Sequence, residues 1–332
     1  MNPSATNSNR GPDQSTVLVT GGAGFIGSHL VERLLADGRR VVVIDDLSTG
    51  SVENLRAVSG HEALRVIPSK ISACTDLPDV VRGATAIYHL AAAVGVELII
   101  QSPIQTLETN LHETEVLLKV AASQGVPLLL TSSSEVYGKS EKPQFSEDDD
   151  LLIGPPNHSR WSYACSKLMD EFLALAYARE RGLPAIVTRL FNTVGPRQTG
   201  RYGMVLPRFI ASARRGEPLK VYGDGLQTRC FCYVHDTVEA LVRLQRCTAA
   251  RGQIFNIGSR EEISIVNLAQ TVIEMLGSKS RVELVPYTSA YAPGFEDMRQ
   301  RKPSVERLGA AIGFQPSTPL REIILRTAET IP

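Results

Sequence analysis

Apolar and polar positions in the first 190 residues follow two alternating patterns. Short runs of aliphatic and β-branched residues are separated by longer stretches in which apolar residues recur every three to four positions. The short runs are typical of buried strands, and the longer stretches are typical of helices with one apolar face. The predicted strands are STVLVT, RVVVIDD, LRVIPSKI, AIYHLAA, VPLLLTSSS and LPAIVTRL.

These strands are apolar throughout, which is characteristic of a parallel sheet covered by helices on both faces. We therefore predict an α/β fold, with a doubly wound parallel (Rossmann) sheet over residues 15–190. Proline and glycine then become frequent and the elements shorten, which predicts a smaller α+β substrate-binding lobe from residues 191–228 and 259–332. Residues 229–258 contain a helical pattern and the run QIFNIGS, which we expect to return to the main sheet. The polar residues 1–14 are predicted to be a disordered tail.

Composition narrows the class of protein. Lys and Arg together number 35, equal to Asp and Glu, so the absence of net charge argues against nucleic acid as a partner. No apolar run approaches the roughly 20 residues that span a bilayer, and the N-terminus lacks the apolar core of a signal peptide. Five scattered cysteines favour a reduced, cytoplasmic location, and Cys230-x-Cys232 has no second ligand pair, so no metal site is expected.

A glycine-rich loop follows the first predicted strand. Gly21, Gly24 and Gly27 are spaced three apart between a strand and a helix. Glycine there permits a tight turn and close approach of the backbone to a pyrophosphate, which the free N–H groups of the helix start can bind. Asp45 ends the second strand, where a carboxylate accepts hydrogen bonds from a ribose and repels a 2′-phosphate. The pattern therefore predicts NAD as cofactor.

A tyrosine and a lysine lie four residues apart in WSYACSK. On a helix, Tyr163 and Lys167 would share a face about 6 Å apart. An ammonium beside a phenol favours the phenolate and lowers the phenol's pKa. We therefore predict that Tyr163 removes the proton of an alcohol that is being oxidised.

The glycine loop, YHLAA, Asn110, TSSSEVYG, the Tyr163–Lys167 pair and RLFNTVGPR together resemble the extended short-chain dehydrogenase/reductase family. The resemblance extends from about residue 15 over nearly the whole chain. It implies a cofactor-binding set consisting of Gly21, Gly24, Phe25, Ile26, Gly27, Asp45, Leu90, Ala91, Ala92, Tyr163 and Lys167. It implies a catalytic set consisting of Ser133, Ser134, Glu135, Tyr163, Lys167 and Arg301, and substrate contacts from Asn192, Arg229 and Arg301.

The resemblance also implies individual roles. Ser133 would bind the sugar oxygen that is oxidised, Lys167 would hold the nicotinamide ribose, and Asn110 would shape the helix beneath the site. One position departs from the family pattern, because Lys70 stands where family members have an acid that contacts adenine.

Glu135 distinguishes between branches of the family. Members that only epimerise C4 have a small or hydroxyl residue at this position, whereas many dehydratases and decarboxylases have glutamate. Once C4 is a ketone, a carboxylate on C5 becomes a β-keto acid, and a base at C5 can assist its loss. The stretch RQRKPSVERLGAAIGFQPSTPL resembles the segment in which decarboxylases carry an arginine for the sugar carboxylate, which would be Arg301.

The leading interpretation is an NAD-dependent UDP-glucuronate decarboxylase that gives UDP-xylose or the UDP-4-keto-pentose. The alternatives are a nucleotide-sugar 4-epimerase, a sugar 4,6-dehydratase, and a non-enzymatic NAD-binding sensor. The expected partner is a nucleotide-sugar substrate, and a UDP-sugar is favoured. By family resemblance a homodimer is expected through helices near 104–124 and 161–181. Leu168, Leu173 and Leu175 are apolar positions there that could be exposed or could equally belong to the core.

Overall fold

The structure is a computed structural model that describes residues 15–93, 102–158, 160–200, 204–286 and 298–331. The predicted tail, residues 1–14, lies outside the described residues. The strands are β1 Thr16–Thr20, β2 Arg40–Asp45, β3 Leu64–Pro68, β4 Ala86–His89, β5 Leu128–Ser133, β6 Ala185–Leu190, β7 Thr193–Val194, β8 Leu219–Tyr222, β9 Thr228–Cys230, β10 Cys232–Tyr233, β11 Ile254–Ile257, β12 Glu262–Ser264 and β13 Val282–Val285. The α-helices are α1 Phe25–Ala36, α2 Leu77–Arg82, α3 Pro103–Gln124, α4 Arg160–Arg181, α5 Val205–Arg214, α6 Val234–Arg246, α7 Ile265–Met275, α8 Glu306–Ile312 and α9 Leu320–Ala328.

A parallel sheet of seven strands forms the centre of the protein, in the order β11-β6-β5-β4-β1-β2-β3. Each apolar run of the first 190 residues forms one of its strands, and β11 adds an edge strand beside β6. The predicted doubly wound α/β fold is therefore confirmed.

Helices cover both faces of this sheet because successive strand side chains point in opposite directions. Val17 and Val19 of β1 belong to one buried cluster, which includes Leu30 and Leu34 of α1. Leu18, between the two valines, belongs to a second cluster on the other face, together with apolar side chains of α2, α3 and α4. All three β1 side chains are almost fully buried. The strand therefore has no solvated face, as its unbroken apolar sequence predicts.

Helices α5, α7 and α9 and strand β8 enclose a further buried cluster beside the sheet. Short strands β8 and β13 pair in parallel, and β9 pairs with β12 in antiparallel orientation. The boundaries predicted for the smaller lobe, 191–228 and 259–332, stay a prediction. Within the part of the chain that the structure describes, no helix is both long enough and apolar enough to cross a membrane.

The sheet has a switch point between β1 and β4. Strand order runs outward from β1 through β2 to β3 on one side, and from β4 through β5 to β6 on the other. Ligands of such sheets bind at the carboxyl ends of the strands at this point. The loops after β1, β4 and β5 meet there, and they contain the glycine loop, YHLAA and TSSSEVYG.

Candidate active site

The glycine loop turns sharply from β1 into α1. Gly21 has a φ of 71°, in the left-handed region, and a Cβ there would lie 2.7 Å from the backbone nitrogen of Ala91. A Cβ on Gly27 would collide with the carbonyl oxygen of Gly21. Helix α1 begins at Phe25, with Gly24 as its N-cap. The glycines therefore leave no side chain to block a pyrophosphate from approaching the backbone at the N-terminus of α1.

Asp45 joins the glycine loop to the end of β2. Its Oδ2 accepts a hydrogen bond from the backbone N–H of Ala23 (2.9 Å), and its Oδ1 accepts one from Leu47 (2.9 Å). Burial raises the pKa of the Asp45 carboxyl, while these two hydrogen bonds oppose the rise. Each oxygen keeps a further lone pair for a ribose hydroxyl. The loop and this carboxylate together fit the adenosine diphosphate half of NAD.

The remaining predicted cofactor contacts lie around this loop. Phe25 and Ile26 open α1, and the backbone N–H of Leu90 bonds the carbonyl of Thr20 next to the loop. Ala91 faces Gly21, and Ala92 follows it in the chain.

Tyr163 lies in the first turn of α4 and faces the end of β5. Its phenol forms a hydrogen bond with the side chain of Ser133. Burial raises the pKa of the Tyr163 phenol, the Glu135 carboxylate raises it further, and the bond to Ser133 opposes both. The predicted net lowering of this pKa is not found, because burial and the Glu135 carboxylate raise it. The Lys167 ammonium is paired with Asp170, Nζ to Oδ2 2.8 Å, so its charge is largely offset.

Glu135 and Arg301 form an ion pair beside Tyr163. Glu135 lies in the short 3₁₀ helix Ser134–Tyr137 that follows β5, and Oε1 accepts a hydrogen bond from Nη2 of Arg301. Both charges influence the Tyr163 phenol. The structure therefore brings together four predicted catalytic residues, Ser133, Glu135, Tyr163 and Arg301.

Backbone pairing of residues 299–304 delivers Arg301 to this place. The Arg299 carbonyl accepts a hydrogen bond from the Thr228 N–H (2.9 Å), which ties one end of the segment to β9. Phe145 bonds the other end through the Lys302 carbonyl (2.8 Å) and the Ser304 N–H (2.8 Å). Arg301 lies between these attachments and is buried. A residue 166 positions after Glu135 thereby reaches it.

The other predicted site residues have mainly structural contacts. Asn110 of α3 holds the backbone of Ala93, accepting from N–H at 2.7 Å, and donates to the Ser166 hydroxyl at 3.1 Å. Asn192, after β6, donates to the Cys230 carbonyl at 3.0 Å, and Arg229 is buried on β9 beside it. Ser134 is buried, and its hydroxyl has no hydrogen-bond partner among the described residues. Roles in substrate binding or catalysis for these residues stay predictions.

Sequence analysis missed three buried charged residues next to the site, Asp170, Glu171 and Arg189. Asp170, the partner of Lys167, is three residues after it on α4, a spacing that places both on one helix face and is readable from sequence. Arg189 of β6 forms a double hydrogen bond with Glu171 at 2.8–3.2 Å, and Glu171 also accepts from Ser132 of β5. This second pair fixes α4 against the two strands that carry the site.

The protein has a parallel sheet, a glycine-rich loop, a carboxylate placed to bind a ribose, and a helix with a tyrosine–lysine pair. Together these features define a dinucleotide-dependent enzyme of the Rossmann class. Residues 17–258 match the NAD dependent epimerase/dehydratase family, and the chain belongs to that family. Its cofactor is NAD.

Three known proteins illustrate the similarity. The chain is 41% identical to a UDP-N-acetyl-alpha-D-glucosaminuronate decarboxylase of Bacillus cytotoxicus, over 90% of this chain and 92% of that protein. It is 38% identical to UDP-glucuronic acid decarboxylase 3 of Arabidopsis thaliana, over 92% of this chain and 86% of that protein. The crystal structure of UDP-glucuronic acid 4-epimerase from Bacillus cereus, with UDP-glucuronic acid and NAD, superimposes with a TM-score of 0.85 at 27% identity, covering 95% of this chain and 98% of that one.

Proposed function

We propose that the protein is an NAD-dependent decarboxylase of a UDP-linked uronic acid, with UDP-glucuronate as the leading substrate. The product would be UDP-xylose or the UDP-4-keto-pentose. The observation that carries the proposal is the ion pair of Glu135 and Arg301 directly beside the Tyr163–Ser133 hydrogen bond. Inversion at C4 needs no acid–base group for C5, whereas decarboxylation does, and Glu135 beside Arg301 is the candidate for that role.

Oxidation at C4 would use the first pair of residues. Tyr163 Oη takes the proton of the C4 hydroxyl, and the Ser133 hydroxyl holds that oxygen in place. Bound NAD supplies the two-electron oxidation that makes C4 a ketone. Asn192 and Arg229, at the edge of the smaller lobe, would contact the diphosphate of the substrate.

Loss of carbon dioxide would use the second pair. The guanidinium of Arg301 pairs with the C5 carboxylate, and the substrate replaces Glu135 as its partner. When the carboxylate leaves as carbon dioxide, its bonding electrons form the enolate of the C4 ketone. Glu135, released from Arg301, takes up a proton from solvent and delivers it to C5, which completes the exchange of carboxylate for hydrogen. Return of the two electrons and a proton to C4 then gives UDP-xylose, and release before that return gives the UDP-4-keto-pentose.

The relatives support a substrate whose sugar is a uronic acid. They differ in the substituent at C2 of that sugar. Arabidopsis UDP-glucuronic acid decarboxylase 3 supports a C2 hydroxyl, and the B. cytotoxicus enzyme supports a C2 acetamido group. We retain UDP-N-acetylglucosaminuronate as the second candidate substrate because that enzyme has the higher identity of the two.

Incubation of the purified protein with UDP-glucuronate should give a product lighter by one carbon dioxide. Mass spectrometry of the nucleotide sugars measures this change, and a parallel reaction with UDP-N-acetylglucosaminuronate decides the C2 preference from the two kcat/KM values. The Tyr163→Phe variant serves as a control for contaminating activity.

Other products would overturn the proposal in distinct ways. A product of unchanged mass but altered chromatographic retention identifies a 4-epimerase. A UDP-hexose that loses one water identifies a 4,6-dehydratase. Bound NAD with no turnover of any nucleotide sugar favours the non-enzymatic alternative.

We also propose that the protein is a homodimer through α3 and α4, which pack against each other. Ile104, Leu107 and Leu111 form an exposed apolar row along α3, at the spacing of one helix face. Met169 and Phe172 are exposed apolar side chains on α4, and Phe172 is 62% exposed. Leu168, Leu173 and Leu175, for which the sequence left exposed and core positions open, are half-buried against the protein's own core.

Phe172→Glu should convert the dimer to a monomer, because it places a charge in the centre of this apolar face. Size-exclusion chromatography with light scattering measures the mass. Leu325→Glu is the matched control, since Leu325 is 47% exposed on α9, away from these helices. A wild-type protein that is monomeric, or a dimer that both variants leave intact, contradicts the proposal.

A further inference from the structure

Asn256 lies on β11, the edge strand of the sheet, and its side chain is fully buried. Its Nδ2 donates to the Phe145 carbonyl (3.0 Å), and its Oδ1 accepts from the Tyr137 hydroxyl (2.8 Å). A buried polar group that is left without a partner is costly, so both bonds bind this amide firmly to its neighbours. The neighbours belong to two segments outside β11, and the amide therefore joins those segments to each other.

The two segments carry the ion pair of the site. Tyr137 is the last residue of the short 3₁₀ helix in which Glu135 lies. Phe145 is paired with the segment that contains Arg301, because its carbonyl also accepts from the Ser304 N–H (2.8 Å). The buried amide therefore lies between the attachment of the glutamate and the attachment of the arginine.

The Phe145 carbonyl is the point where the amide meets the arginine segment. A carbonyl oxygen has two lone pairs, and here one accepts from Asn256 and the other from Ser304. The Tyr137 ring also stacks on the Phe145 ring, with centroids 4.7 Å apart, and both rings are fully buried. The stack brings the two segments together, and the directional bonds of the amide set how far apart they stand.

The orientation of the amide follows from these partners. The Phe145 carbonyl can only accept, so it faces the Nδ2 atom. Arg189 donates through Nη1 to the Tyr137 hydroxyl oxygen (3.0 Å), which leaves the phenol proton for Oδ1 of Asn256. Arg189 is the neighbour of Asn256 in the register of β6 and β11, and it also pairs with Glu171 of α4. Leucine would supply neither bond, and an ionised aspartate would lack the donor.

We propose that Asn256 is a positioning residue for the reaction: its amide holds the turn of Glu135 and the segment of Arg301 at the separation that lets the two side chains meet beside Tyr163. The inference rests on the proposed function in taking Arg301 as the group that binds the uronate carboxylate. Asn256 acts through these two residues and not by contact with the sugar. A shift of about 1 Å in a reacting group can cost about a hundredfold in rate, so even a small loss of register matters.

Asn256→Leu should weaken the preference for a uronate. Leucine has the same branched shape as asparagine but makes neither hydrogen bond. Each protein in this comparison also carries Tyr163→Phe, so that no sugar is turned over. Calorimetry with bound NAD gives the dissociation constants of UDP-glucuronate and UDP-glucose, which differ in having a carboxylate or a hydroxymethyl group at C5. The parent should favour UDP-glucuronate, and Asn256→Leu should reduce that preference about tenfold while leaving the affinity for UDP-glucose unchanged.

Hydrogen exchange tests the same role without any sugar. In Asn256→Leu, amide exchange measured by mass spectrometry should become faster in peptides that cover residues 299–304. Gln245→Leu is the matched control, because this buried amide on α6 donates to the Ile87 and Pro127 carbonyls at 3.1 and 3.2 Å. It should lower the melting temperature and leave both the sugar preference and the exchange of 299–304 unchanged.

A purely structural asparagine would give the result expected for Gln245. A lower melting temperature, with the sugar preference and the exchange of 299–304 as in the parent, would overturn the proposal. If Asn256→Leu does not fold, Tyr137→Phe removes one of the two bonds, keeps the ring stacked on Phe145, and should shift both measurements in the same direction. A parent that binds both sugars equally would count against the proposed function, and hydrogen exchange then decides the role of Asn256.

Discussion

Replacing Tyr163 with phenylalanine should reduce kcat for decarboxylation by about a thousandfold, in the range that general acid–base catalysis contributes. The change removes one oxygen, which is the atom that would take the proton from the C4 hydroxyl. The ring stays, so packing in the first turn of α4 is preserved and the Ser133 hydroxyl remains available to the substrate. Steady-state kinetics should show a low kcat with little change in KM, and calorimetry should show NAD bound as in the wild type.

Tyr177→Phe provides the comparison, because Tyr177 is half-buried on the same helix, fourteen residues after Tyr163, and packs against the hydrophobic core. It should retain wild-type kcat. A Tyr163→Phe variant with more than about a tenth of wild-type turnover would exclude the phenol as the base, since an acid–base group contributes at least about a hundredfold.

The sheet of this protein was predictable because its central strands, β1, β4, β5 and β6, are buried on both faces. Each such strand is a continuous apolar run, and the glycine loop and Asp45 follow from where the first two runs end. In a doubly wound sheet the loops after the first strands lie at the carboxyl edge, where ligands bind. The residues that bind the dinucleotide could therefore be assigned from the sequence.

The contact of Glu135 with Arg301 was not predictable from spacing. It depends on the 299–304 segment bonding β9 at one end and Phe145 at the other, and these attachments are backbone hydrogen bonds that any sequence could make. The sequence identified both residues only through family resemblance. Nothing in their positions, 166 apart, implies contact.

The acidity of Tyr163 was mispredicted because only one neighbour was considered. Sequence spacing brings Lys167 within range of the phenol, but the same rule applied from Lys167 to Asp170 brings in the charge that offsets it. Burial, which raises the pKa of Tyr163 most, depends on tertiary packing and has no sequence signal. The helix pattern likewise left open which apolar side chains of α4 are exposed, and tertiary packing decides it: Leu173 packs against the core and Phe172 is exposed.

Glu135→Gln should lower the rate of decarboxylation by about a hundredfold or more while leaving the substrate bound as tightly or more tightly. Glutamine has the shape of glutamate but cannot carry a proton to C5 as a carboxylic acid. It also cannot neutralise Arg301, which becomes free to pair with the uronate carboxylate. Carbon dioxide release measures the rate, and calorimetric titration with UDP-glucuronate and bound NAD measures the affinity.

Measuring rate and affinity separately distinguishes an acid–base role of Glu135 from a purely structural role in its ion pair with Arg301. If Glu135 only held Arg301 in place, its loss would let the guanidinium move, and affinity for the uronate would fall together with the rate. Glu141→Gln, the same change at an exposed glutamate in the following loop, should alter neither quantity. Because Tyr163 and Ser133 are untouched, oxidation at C4 should survive in Glu135→Gln, and absorbance of reduced cofactor on addition of UDP-glucuronate is its expected sign. A variant that still releases carbon dioxide at the wild-type rate would leave Arg301 and the β-keto acid as sufficient for the reaction, and Glu135 as a partner for the arginine alone.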